Sequence, residues 1–168
     1  MLWSQAMAPT DQPLCTTMSG MTEQHVVKAT QVIEMPADAI FELIADPARQ
    51  PAWDGNDNLT SAEPGQRVKA VGDVFRMTLT NGKTRENHVV EFQEGRLIAW
   101  RPSPIAQPQP GHLWRWELAP LEGSRTEVTH TYDWSELNDP ERLQRARNTT
   151  SAHLDASVLR LKKVAEST

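Results

Sequence analysis

The chain has 168 residues, with 17 Lys and Arg against 22 Asp and Glu, and a formal net charge of −5. That length supports one domain able to bury a substantial core, or a core plus a pocket. No basic run appears, so neither nucleic acid nor an anionic membrane surface is an expected partner. No apolar run approaches the length of a membrane span, so membrane insertion is not expected either.

Residues 1–24 differ from the rest: they contain no Lys or Arg and are rich in Ser, Thr, Gln, Pro and Met. They lack the positive start and continuous apolar stretch of a secretory signal, and the arginines of a transit peptide. They are expected to form a disordered extension, or an artefact if Met18 or Met21 is the true start. The domain is expected over 25–168, in the cytoplasm. The only cysteine, Cys15, is read as an ordinary thiol of the tail, and it excludes an internal disulfide or a cysteine zinc cluster.

In chain order, 26–34 alternates and stops before Pro36, predicting a first strand. A short helix follows over 36–45, with Pro36 at its first position, Asp38 in its first turn, and Ile40, Phe41, Leu43 and Ile44 as its apolar face. Asp46-Pro47 ends it, and 48–53 adds a second short turn. The polar cluster 54–58 after Trp53 reads as a turn and lacks the spacing and Glu of a calcium loop. Residues 66–71 are a candidate strand. Over 74–80, Phe75, Met77 and Leu79 share one face, and Asn81-Gly82 signals a two-residue hairpin. The return strand, 84–92, alternates as His88, Val90 and Phe92, and 96–101 follows a turn at Glu94-Gly95. Pro102, Pro104, Pro108 and Pro110 predict a loop over 102–111. Two more strands follow, 112–118 with His112, Trp114, Trp116 and Leu118, and 126–134 with Thr126, Val128, His130, Tyr132 and Trp134. Asp139-Pro140-Glu141 is a strong helix start. With no later Gly or Pro, one helix is predicted to about Val164, roughly 26 residues or 39 Å long.

The order of elements implies an α+β domain: two short helices after the first strand, then a curved antiparallel sheet of about six to seven strands wrapped around a long C-terminal helix. The inward stripe of that helix is apolar in its second half, including Leu154, but carries Arg147, Thr150 and His153 in its first. A buried face that turns polar suggests the cover of a cavity.

The aromatic residues point to what such a cavity takes. Trp53, Trp100, Trp114, Trp116 and Trp134 all lie in the domain, and same-face rings on adjacent strands can meet. With Phe75, Met77 and His88 they make an expected wall for an apolar or aromatic small molecule. The plain alternative is that large rings fill a thin core. His130 is the best acid/base candidate if it faces the cavity, and Tyr132 a hydrogen-bond donor to a ligand carbonyl. A satisfied core histidine or tyrosine is the alternative for each. Arg147 is expected either to hold a ligand oxyanion or to reach solvent or an acidic partner such as Asp54. His130 and His153 make no metal site without a third ligand, so neither metal nor cofactor is expected.

Several segments resemble the START-like, or helix-grip, superfamily, and within it the polyketide cyclase/dehydrase group. Ile33 to Phe41 is similar to its strand-to-helix opening, Asp46 to Trp53 to its second helix, Leu97 to Arg101 to the strand after its central hairpin, and Thr126 to Tyr132 to its last strand. The resemblance covers about 25–165. It implies the helix-grip fold and a hydrophobic ligand, lipid-, polyketide- or quinone-like, bound by a monomer or homodimer. It also leaves open a cyclase or dehydratase using His130 or Tyr132, and a co-chaperone-like regulatory module.

Overall fold

In the computed structural model, which describes residues 23–168, the elements run β1 (Val26–Ile33), α1 (Ala37–Ala45), a 3-10 turn (Pro47–Arg49), α2 (Gln50–Trp53), β2 (Leu59–Ser61), β3 (Val74–Leu79), β4 (Thr84–Gln93), β5 (Leu97–Pro104), β6 (Leu113–Leu121), β7 (Arg125–Asp133), α3 (Pro140–Asn148) and α4 (Ser151–Glu166). Cys15, Met18, Met21 and nearly all of the expected extension lie outside the described residues. The strands form a single antiparallel sheet in the order β1-β7-β6-β5-β4-β3-β2. With the helices gathered on one face, this is the helix-grip α+β fold.

Helix α1 buries Ile40, Phe41, Leu43 and Ile44, as its 3.6-residue period requires. Asp46 ends it and accepts a hydrogen bond from the Ala48 amide, opening the 3-10 turn. Two buried side chains of α2 then tie back to α1: the Gln50 amide donates to the Ile44 carbonyl at 2.9 Å, and the Trp53 indole to the Leu43 carbonyl at 2.8 Å. Helix α4 lies across β1 and β7. There the Gln31 amide donates to the Asp155 carboxylate and the Lys162 ammonium to the Val32 carbonyl, while Leu154, Val158 and Leu161 are buried beneath.

Four expectations need correction. The single C-terminal helix is two. Thr149 and Thr150 are both extended, with ψ of 115° and 167°. The run Asn148-Thr149-Thr150-Ser151 has poor helix propensity and favours caps. The break is stabilised locally, with the Thr149 hydroxyl donating to the Arg145 carbonyl and the Thr150 amide to His153 Nδ1 at 3.0 Å.

The expected strand over 66–71 is not one. Gln66 instead binds the β3 backbone through its side chain, at the Arg76 amide and carbonyl, and the strand paired with β3 on that side is β2. Nor does β5 stop at Arg101: it runs through Pro102 to Pro104. Those prolines pair only with β4, because β6 leaves β5 after the Trp100–Trp114 pair, so no ladder donor is missed.

The hairpin after β3 has three loop residues, not two. The Leu79 amide donates to the Lys83 carbonyl, the Gly82 amide returns to Leu79, and Gly82 has φ of +81°. A two-residue turn would set Phe75 opposite His88. The observed loop sets it opposite Asn87, and a one-residue shift exchanges the two faces of a strand.

One glycine decides how closely α4 can sit. A Cβ on Gly55 would fall 2.3 Å from the Ala156 carbonyl carbon, and the Gly55 amide donates to the Ser157 hydroxyl at 3.0 Å. The Asp54 carboxylate holds this turn by accepting from the Asn56, Asn58 and Leu59 amides. Gly55→Ala is therefore expected to destabilise the domain by roughly 1–3 kcal/mol through overpacking against α4, read as a lowered urea midpoint at unchanged m-value.

Candidate functional site

The helix-covered face of the sheet is a grid of side chains two residues apart on each strand. Strand β3 contributes Phe75 and Met77, β4 Arg85, Asn87 and Val89, and β5 Ile98 and Trp100. Trp114 and Trp116 come from β6, with His112 just ahead of it, and Val128, His130 and Tyr132 from β7. A bulge between Val89 and Glu91 restores Phe92 to this face, where it meets Phe41 edge-on at 5.8 Å.

The face has two halves. Beneath α4 it is solid: Trp116 stacks on His130 at 3.8 Å and 10°, Trp53 meets Trp116 edge-on at 5.1 Å, and all three are buried with Leu154. Toward α3 the rings pair differently. Trp114 stacks on Tyr132 at 4.3 Å, Phe75 meets Trp100 edge-on at 5.3 Å, and Trp114 remains partly exposed.

Polar atoms run across this face without partners. Asn87 is only 1% exposed, yet neither its amide nitrogen nor its oxygen has a hydrogen-bond partner among the described residues. The same holds for Arg85 Nε, His112 Nδ1, Trp116 Nε1 and His130 Nδ1. Proteins pair the large majority of buried polar atoms, and of the eight unpartnered ones among the described residues all but Arg101 Nε and Thr131 Oγ1 lie on this face.

Charge concentrates at the α3 end. Burial pushes the Arg85 guanidinium down to about 10, with Arg145 and Arg142 adding repulsion and Asp54 opposing it. Burial lowers His112 to about 4, helped by the same arginines. Burial raises Tyr132, partly offset by Arg145 and Arg142. His130 falls to about 3, again by burial, with the Leu154 backbone opposing.

The sequence-predicted residues divide accordingly. Phe75, Met77, Trp100, Trp114, Trp116, His130 and Tyr132 share one face, with Trp53 and Leu154 packed onto it. His88 does not join them: it is on the opposite side of β4, bonded to the Ser103 hydroxyl at 2.9 Å, as the hairpin register requires. Trp134 follows the end of β7 and packs against the His25 ring at 4.4 Å. Arg147 is exposed and ion-pairs with Glu23, not Asp54. Thr150 and His153, both exposed, serve the start of α4. The helix break explains all three departures, because α3 and α4 do not share one continuous stripe. Sequence reasoning missed Arg85, Asn87, His112, Arg142 and Arg145. Gly82 held the signal for the first two, since a glycine closing a three-residue loop sets the opposite register.

Two surface depressions, of about 220 and 430 Å³, lie away from this face. The first is lined by Arg115 and Arg101, which pair with Glu91 and Glu136. The second surrounds the start of α1. Among the described residues, no His, Cys, Asp and Glu side chains group to hold a metal ion, and no helix is long and apolar enough to cross a membrane.

Residues 24–166 match the family model described as polyketide cyclase / dehydrase and lipid transport. The uncharacterized protein Rv0088 of Mycobacterium tuberculosis is 30% identical over 105 residues, 61% of this chain and 44% of that protein. The chain thus spans less than half the length of this curated relative. Among solved structures, protein MLL2253 of Mesorhizobium loti superposes with a TM-score of 0.64 at 14% identity, over 85% of this chain and 98% of that one. DynU16, from the dynemicin biosynthetic locus, superposes at 0.60 with 18% identity, over 86% and 48%. At these identities the structures show a shared fold.

The two buried histidines set a pH dependence. Each has a folded-state value below its ordinary 6.5, so between that value and about 4 for His112 or 3 for His130 the unfolded chain binds more protons. Stability is then expected to fall as pH drops below about 6.5, by at most about 3 kcal/mol per pH unit near pH 5. His130→Phe keeps a ring against Trp116 and removes one titration. It should roughly halve the slope of unfolding free energy between pH 5 and 6.

Proposed function

We propose, from the premise that the chain belongs to the polyketide cyclase / dehydrase and lipid transport family, that it binds an aromatic or apolar small molecule between the sheet and α3. The observation that carries this reading is that Asn87, Arg85 Nε and His112 Nδ1 lack partners among the described residues at the aromatic end of this face that lies toward α3. A few polar groups among large rings is the usual composition of a small-molecule site, whereas a finished core pairs its buried polar atoms. The rings Phe75, Trp100, Trp114 and Tyr132, with Met77, supply apolar contact. Asn87 and His112 supply hydrogen bonds that fix orientation. The packed half under α4 serves as a rigid floor.

Acid–base turnover has less support. His130 is stacked on Trp116, and its value near 3 leaves it a weak base at neutral pH. Burial likewise keeps the Tyr132 hydroxyl protonated. Binding and carriage of the ligand, in the cytoplasm, need neither group to titrate.

The direct test is native mass spectrometry of protein purified from its own host. A co-purifying small molecule is expected, and empty protein under uniformly mild conditions would count against the reading. Quenching of tryptophan fluorescence by the neutral probe methyl 2-naphthoate should be saturable. Trp100→Ala and Trp114→Ala should each weaken it by about tenfold, as loss of a stacked ring implies, while His153→Ala on the surface leaves it unchanged. Equal affinity in all four proteins would remove the aromatic wall from the argument.

A further inference from the structure

The half-buried arginine on β4, Arg85, has no structural task that the fold accounts for. Its neighbours along and across the face are Asn87 on its own strand and Met77 paired opposite on β3. Its guanidinium makes no hydrogen bond and no ion pair among the described residues, and its Nε is buried without a partner. The acidic group nearest in effect, Asp54, has its carboxylate occupied by three backbone amides. From α3, Arg145 makes no ion pair among the described residues, while Arg142 is shared with Asp139 at 2.8 Å. A chain with a net charge of −5 therefore concentrates uncompensated positive charge at the one end of its inner face that α4 does not fill.

We propose that Arg85 is the seat for a carboxylate carried by the bound small molecule, with Arg145 and Arg142 of α3 adding charge at the entrance. Withdrawing part of an arginine from water without a counter-ion has a cost, and a planar guanidinium is suited to a carboxylate because it donates two parallel hydrogen bonds. Asn87, two residues along the same face, can donate a further hydrogen bond through its unpartnered amide. The aromatic wall takes the body of the ligand and Arg85 its head. The ligand class is thus an aromatic or apolar carboxylic acid rather than a neutral ring. This rests on the small-molecule reading above and narrows it.

Calorimetric titration of the full chain at pH 7.5 tests the proposal with matched pairs: 2-naphthoic acid against methyl 2-naphthoate, and decanoic acid against methyl decanoate. The acid of at least one pair should bind ten times tighter than its ester or better. Arg85→Met should bring acid and ester to within about twofold by weakening the acid alone. Arg145→Gln should weaken the acid only a few-fold, and less so at high salt. Without ligand, Arg85→Met should melt no lower than wild type, because the variant no longer withdraws an unpaired charge partly from water. Esters that bind as well as acids to the wild type would overturn the carboxylate seat and leave the small-molecule reading intact. A lower melting temperature for Arg85→Met with the acid preference retained would also overturn it, by making Arg85 a structural residue. Failure of every acid and ester to bind would sink both readings together.

Discussion

Trp116 is held on both sides, by the His130 ring at 3.8 Å and by the edge of Trp53 at 5.1 Å, and this column organises the molecule. Trp53 belongs to α2 and is anchored by its indole to α1. Trp116 and His130 face each other across the β6–β7 ladder, and Leu154 of α4 is buried with them. Five elements thus meet at one set of rings. Rings of this size bury more apolar area than any other side chain and prefer stacked or edge-on geometry, so the column sets where the sheet, the short helices and α4 stand. It also makes that half of the inner face solid, and whatever the protein binds has the other half to use.

The other half is built on different physics. Helix α3 buries only Ala146, packs Leu143 partly buried against the core, and is otherwise mostly charged. Separating it from α4 at Thr149-Thr150 frees its orientation from the demands of the core stripe. Arg85 and Asn87 on β4 carry a desolvation cost that a stability-optimised interior would avoid. Strained or unsatisfied groups of this kind gather where proteins trade stability for binding. The contrast between a rigid aromatic floor and the half that carries Arg85 and Asn87 is the physical content of the proposed carboxylate seat.

The sheet was legible because its signals are local. Alternation on β3, β6 and β7, turn glycines at Gly82 and Gly95, and Pro36 and Pro47 bracketing α1 all act over a few residues. The α+β class and the aromatic face followed from them. The candidate site was less legible, for a specific reason: it depends on register. Whether His88 or Asn87 faces the helices turns on one residue in the loop after β3, and that loop's length is settled by hydrogen bonds between Leu79, Gly82 and Lys83. Arg147, Thr150 and His153 share the inward stripe only if the helix is continuous across Thr149-Thr150. Two weak helix formers with an available local cap ended it instead.

By itself the sequence determined the sheet, the helices that begin at proline, the aromatic composition of the inner face and the family. The first three rest on periodicity or on a residue's own conformational limits, and the family on the resemblance of short segments. Only the tertiary structure decided which rings are buried, Trp53, Trp100 and Trp116 among them, and which, like Trp114, stay partly exposed. It alone revealed that Asn87 and His112 are buried, and Arg85 half-buried, with polar atoms lacking partners among the described residues, because burial and hydrogen bonding belong to the three-dimensional neighbourhood. A sequence records that an arginine is present, but whether it faces open water or the inner side of the sheet depends on strands and helices far along the chain.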